Sequence, residues 1–140
     1  MKNRRFALLV FGLLVQGASA MAVAEDRTAL KDVSTVRIAN YGIPSTVIQD
    51  REKVRSIVEE LRQLRNKAWR RADTQFSCYA TLSLHSETRT VTIFRIRPDF
   101  VVERPQGKGQ SIYSLAVNQA DLPRISALLA AIPPAKDCAW

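Results

Sequence analysis

The chain is short of the residues that most often carry chemistry. It holds one histidine, His85, and two cysteines, Cys78 and Cys138, with no Cys-x-x-Cys between them. That inventory does not furnish the ligand set of a zinc site. Glycine is scarce at five residues, and Gly107-Lys108-Gly109 is too short for a phosphate-binding loop and lacks the strand-loop-helix setting. No apolar run is long: Phe6 to Val15 is a stretch of ten, against about 20 residues needed to cross a hydrocarbon core. Acidic residues are also few, 13 against 21 basic ones, for a net charge of +8. Internal repeats and low-complexity segments are missing, and so is any sign of a second domain.

What the N-terminus does have is a basic start, Lys2-Asn3-Arg4-Arg5, then that apolar stretch, then Gln16-Gly17-Ala18-Ser19-Ala20. These are the three parts of a secretory signal peptide. Residues 1–24 are therefore expected to be cleaved, after Ala20 or after Ala24. Arg4-Arg5 is explained by a general secretory start, because its surroundings fit a twin-arginine signal poorly. No cysteine lies near either cut, which excludes lipidation of a new N-terminus. Cleavage removes three basic residues and no acidic one, so the charge falls from +8 to +5. About 116 to 120 residues remain, the size of one ordinary domain. Residues 25–32 read as a flexible lead-in and 33–140 as the domain.

Two cysteines in an exported chain are expected to pair. Joining Cys78 to Cys138 closes a loop of 60 residues, worth about 4 kcal/mol in the chain-entropy model if unstrained. The alternative is two unpaired thiols, or a reactive one.

Val33 to Tyr41 is β-branched and roughly alternating, hence a strand. Gly42-Ile43-Pro44-Ser45 is expected to turn, and Thr46-Val47-Ile48 to return. Asp50 then caps a helix whose stripe is Val54, Ile57, Val58, Leu61 and Leu64. After a linker at 72–75, the stretch Phe76 to His85 alternates cleanly, with Cys78, Ala80, Leu82 and Leu84 on the apolar parity. Arg89 to Arg97 is its partner, but its phase breaks. Either a bulge near Ile93 swaps the faces, or Phe94 and Ile96 are exposed on the second face. Strands at Phe100–Glu103 and Ser111–Val117 complete a meander. A second helix starts near Asn118 or Asp121, carries the stripe Leu122, Ile125, Leu128, Leu129 and Ile132, and stops at Pro133-Pro134. The expected fold class is α+β: a two-layer sandwich in the order ββαββββα, with two amphipathic helices on one face of a largely antiparallel sheet. The other sheet face should be polar and solvated.

The stretches Val36-Arg37-Ile38, Ile48 to Val54, Leu61-Arg62-Gln63-Leu64 and Asp121-Leu122-Pro123 resemble a group of small secreted or lipid-anchored bacterial domains of uncharacterised function. The resemblance implies the same hairpin, Asp-started helix, meander and closing helix, and supplies no catalytic residue. This chain departs from that pattern in lacking a lipid-anchor cysteine and in having Cys78 and Cys138.

His85 sits beside Ser86 and Glu87, and three neighbours on a turn cannot adopt triad geometry, so it reads as a solvent-facing turn residue. Glu59, Glu60, Glu87, Asp99 and Glu103 read as solvated surface carboxylates, with no apolar setting to raise a pKa. No catalytic, cofactor-binding or metal-ligating residue is expected. Two candidate surfaces remain. One is the basic cluster Arg62, Arg65, Lys67, Arg70 and Arg71 with Trp69 inside it, placed where cations suit a helix C-terminus. An exported protein rarely meets nucleic acid, so the partner of such a cluster would be an anionic envelope component: a lipid head group, a cell-wall polymer or an acidic protein surface. The other is the second sheet face, with Tyr79, Thr81, Ser83 and His85. The expected function is that of a periplasmic, non-catalytic protein-interaction domain. By analogy of size and location it would be an inhibitor or immunity-type protein; a small hydrolase is the remaining alternative.

Overall fold

Alternating strands and two striped helices assemble as two layers in the computed structural model, which describes residues 29–40, 43–75, 77–130 and 132. In chain order these are β1 (Thr35–Asn40), β2 (Ile43–Ile48), α1 (Arg51–Arg65), β3 (Arg70–Arg71), β4 (Ala80–His85), β5 (Thr90–Ile96), β6 (Phe100–Pro105), β7 (Tyr113–Ala116) and α2 (Leu122–Ala130). The strands form one antiparallel sheet in the order β2-β1-β4-β5-β6-β7-β3. This is the α+β sandwich expected, with one more strand than the sequence suggested. The signal segment 1–24 lies outside the described residues.

Asp50 caps α1 by accepting the Lys53 amide on Oδ1 at 2.9 Å, which satisfies one of the orphan donors of the first turn. Its five stripe residues are all buried. They lie over cross-strand rows on the inner sheet face. One row is Val36, Leu84, Thr92 and Pro105; the next is Ile38, Leu82, Phe94, Glu103 and Tyr113; the third is Asn40, Ala80, Ile96, Val101 and Leu115. In α2, Ile125 and Leu128 are buried and Ile132 joins the core beyond the helix end, whereas Leu122 is exposed. Leu30, within the segment expected to be a loose lead-in, is also part of the core.

The broken phase of β5 is a bulge, one residue pair earlier than expected. Leu84 faces Thr92 but His85 faces Thr90, so Val91 is the extra residue. The bulge sets Thr92, Phe94 and Ile96 inward, and Phe94 and Ile96 are core. A second irregularity lies between Ile38 and Asn40 opposite β2, where Pro44 can donate no ladder hydrogen bond. Ile43 and Pro44, expected in a turn, thus belong to the strand.

Two further expectations are corrected, and a third falls outside the described residues. The strand expected over 76–85 begins only at Ala80, and Cys78 is a half-buried bend residue with φ of 56°. That left-handed backbone is uncommon outside glycine and asparagine, and it breaks the period on which the register of Cys78 rested. The expected disulfide partner, Cys138, lies outside the described residues; among those described, no cysteine is free. Finally, the outer sheet face is only partly solvated. Strand β3 pairs with β7 at one edge while β4 lies near the opposite one, so the connection from 72 to 79 has to cross three strands. Its described residues, 72–75 and 77–79, lie on the outer face. Asp73 holds the outward Arg104 of β6 through two 3.1 Å contacts, and the Ser77 carbonyl accepts from Arg97 at 2.8 Å. Beneath this strap the outward Val102 is 0 % exposed.

Candidate functional site

The basic cluster that stands out in the sequence is mostly paired within the protein. Arg62 contacts Glu59 at 2.8 Å on the surface of α1. Arg65, the last residue of α1, turns inward onto Glu103, with Nη2 on Oε1 and Nε on Oε2 at 3.3 Å. Lys67 reaches Asp121 Oδ1 at 3.2 Å. Trp69 is buried, and its indole N–H donates to the Leu64 carbonyl at 2.7 Å. Of the six residues, Arg70 and Arg71 alone are exposed strand residues, at the β3 edge.

Glu103 corrects the expectation of a solvated carboxylate. It is 0 % exposed and also accepts the Thr92 hydroxyl at 3.0 Å. A buried carboxylate is tolerable only when paired and hydrogen-bonded, and Arg65 with Thr92 supplies both. The signal was present in the sequence: Glu103 shares a parity with Val101, and once Val101 faces the core Glu103 must follow. Asp121 is likewise buried, 3 % exposed, just ahead of α2. Sequence reasoning placed it at the helix start and missed its pairing with Lys67. Glu60 joins the two helices through Arg124 at 2.6 Å. Glu59 accepts from Gln63 and Arg62, and these hydrogen bonds hold its carboxyl below the ordinary carboxylate range.

The outer face of β1, β4 and β5 is arranged differently. The register sets Arg37 beside Ser83 and Ser83 beside Ile93, and in the next row Ala39 beside Thr81 and Thr81 beside Arg95. Val47 lies opposite Arg37 on β2 and is 45 % exposed. The strap passes over β5 and ends at Tyr79, and among the described residues no segment crosses β1 or β4 on this face. Thr81, Ser83 and His85 are half-buried and on the outward parity, as expected. His85 is the last strand residue rather than a turn residue, and its Nδ1 lies 3.1 Å from the Thr90 hydroxyl. Tyr79, at the end of the strap, stacks under the Arg95 guanidinium with 5.0 Å to the ring centroid. Arg37 is exposed and stands opposite no carboxylate among the described residues; Arg95 has the Tyr79 ring and no carboxylate. Sequence reasoning named the hydroxyl side of this face and missed both arginines, although the phase of β1 alone places Arg37 outward.

A groove of about 720 Å³ lies between β2, α1 and α2, with Ile48, Ile57 and Leu128 among its lining and Asp50, Lys53 and Glu60 at its rim. Two of those polar groups are already engaged, Asp50 as a helix cap and Glu60 with Arg124. Among the described residues, no group of three or more histidine, cysteine or carboxylate side chains is placed to hold a metal ion. Likewise, no described helix is long and apolar enough to cross a membrane.

No protein-family model, curated protein or solved structure matches this chain.

Proposed function

We propose that the chain is an exported, non-catalytic protein-interaction domain of the periplasm, acting as an inhibitor or immunity-type protein. The observation that carries this reading is the uncovered half of the outer sheet face. A sheet whose inner face is sealed by two helices and whose outer face is strapped over β5, β6 and β7 leaves β1 and β4 open, with an exposed arginine and a row of hydroxyls. A rigid, flat surface of short side chains suits a pre-formed interface, in which little ordering entropy is lost on binding. The buried carboxylates support a non-catalytic role, because Glu103 and Asp121 are each held by a cation. The alternative site, an anionic envelope component at Arg62 to Arg71, has less support, since three of its five cations face carboxylates of the chain itself.

Tagged protein cross-linked in intact cells should yield one stable complex with an envelope protein or a protein delivered to it. Recovery of nothing beyond an untagged control contradicts the reading.

A disulfide between Cys78 and Cys138 belongs to the same proposal, tying the C-terminal tail to the strap beside the open face. Alkylation without prior reduction should leave the intact mass unchanged, and reduction should admit two labels. Two labels without reduction would dispose of the bridge.

A further inference from the structure

We propose that the open outer face of β1 and β4, flanked by Arg37 on β1 and by Arg95 at the edge of the strap on β5, docks a carboxylate-bearing surface of the partner protein. This rests on the interaction role put forward above and names the chemistry of its partner. The two arginines are the outward cations of β1, β4 and β5, and they lie diagonally across β4, two strands and two residues apart. With strands about 4.8 Å apart and a rise of about 3.4 Å per residue, their Cα atoms stand about 12 Å apart. On β4 between them lie Ser83 and Thr81, whose short side chains leave an approaching surface unobstructed, with Ala39 and Ile93 at the two flanking positions. No aspartate or glutamate occurs in β1, β2, β4 or β5, so nothing on these strands repels an anion.

The charge complementarity points to an acidic occupant, and the makeup of the face selects a protein among such occupants. An anionic lipid surface is usually held by about four to eight clustered Lys or Arg residues, and this face offers two. Instead, Ile93 and the exposed Val47 are interleaved with the arginines. Arginine set among apolar groups is the composition of a protein interface centre. Guanidinium forks take carboxylates bidentately, and the Thr81 and Ser83 hydroxyls supply donors and acceptors between them. The stack of Tyr79 under Arg95 restricts that side chain before the partner arrives, which lowers the cost of ordering it on binding.

The test uses the protein purified after export, with poly-L-glutamate as the carboxylate probe and phosphatidylglycerol vesicles as the phosphate probe. The expected result is salt-sensitive binding of poly-L-glutamate, weakened at least about tenfold in the Arg37→Glu, Arg95→Glu double variant. The Arg70→Glu variant should bind as the parent does. A second double variant, Thr81→Glu with Ser83→Glu, should weaken binding to a similar degree, and circular dichroism confirms that each variant is folded. Binding to vesicles with none to poly-L-glutamate overturns the proposal in favour of lipid. Equal loss in Arg70→Glu overturns it in favour of the β3 edge. A dimer in the ultracentrifuge that Arg37→Glu abolishes overturns it in favour of a second copy of the chain. If cross-linking in cells succeeds while poly-L-glutamate does not bind, the interaction role stands and this assignment of its surface falls.

Discussion

The cations at the end of α1 and those on the open sheet face differ in what stands opposite them. Arg62, Arg65 and Lys67 crowd together in sequence, and each meets a carboxylate of the same chain. Arg37 and Arg95 are 58 residues apart in sequence, yet the sheet brings them onto one face where no carboxylate among the described residues meets them. Clustering along the chain thus marks a place where charge is consumed by folding. Charge left over for a partner is visible only after strand register is known.

That comparison can be broken by stability measurements. The largest effect should come from Glu103→Ala. It leaves the Arg65 guanidinium facing a nearly dry site, and breaking a buried pair from one side costs about 3–5 kcal/mol. Urea denaturation should show the loss as a lower midpoint with little change in slope. Phe94→Ala should fall in a similar range, about 3–5 kcal/mol, if the bulge at Val91 sets this ring in the core. A loss under about 0.5 kcal/mol there would return Phe94 to the surface. Lys67→Ala should cost about 1–3 kcal/mol, the usual penalty for a buried polar group left without its partner. The pair formed by Arg104 and Asp73 is 31 % and 38 % exposed on its two sides, so Asp73→Ala should cost only about 0–1 kcal/mol. It should nevertheless loosen the strap, read as faster amide exchange over 72–79.

The smallest effect concerns Glu59, whose carboxyl is held low by Gln63 and Arg62. A depressed folded-state pKa contributes stability that is present above the ordinary carboxylate value and lost as pH falls through the folded one. Since Glu59 is solvated, a Glu59→Gln variant should differ from the parent only slightly above that window and converge with it at lower pH. A melting series from pH 3 to 7 checks the sign.

Much of the architecture was legible in the sequence for simple physical reasons. The α1 stripe has a clean period, Asp50 is a strong cap, and Ala80, Leu82 and Leu84 alternate without interruption, so local pattern and tertiary burial agree. Failures came where a single residue changes the phase. Val91 swaps the faces of β5, and the left-handed backbone at Cys78 ends the period that its register assumed. The strap was illegible because Ala72 to Tyr79 has no periodicity; its position follows from sheet order, a long-range property. Strand β3 is only two residues long and is defined by its pairing with Ser114 and Tyr113, not by any pattern of its own. The site was half legible. Thr81, Ser83 and His85 followed from one strand's alternation, whereas joining them to Arg37 and Arg95 required the pairing of three strands.

One measurement bears most directly on the division between structural and available cations: urea denaturation of Arg65→Ala beside Arg37→Ala. Arg65→Ala leaves Glu103 as a buried carboxylate without its cation and should lose about 3 kcal/mol or more. Arg37→Ala removes an exposed side chain and should stay within about 0.5 kcal/mol of the parent. Equal losses, or a larger loss at Arg37, would contradict the account.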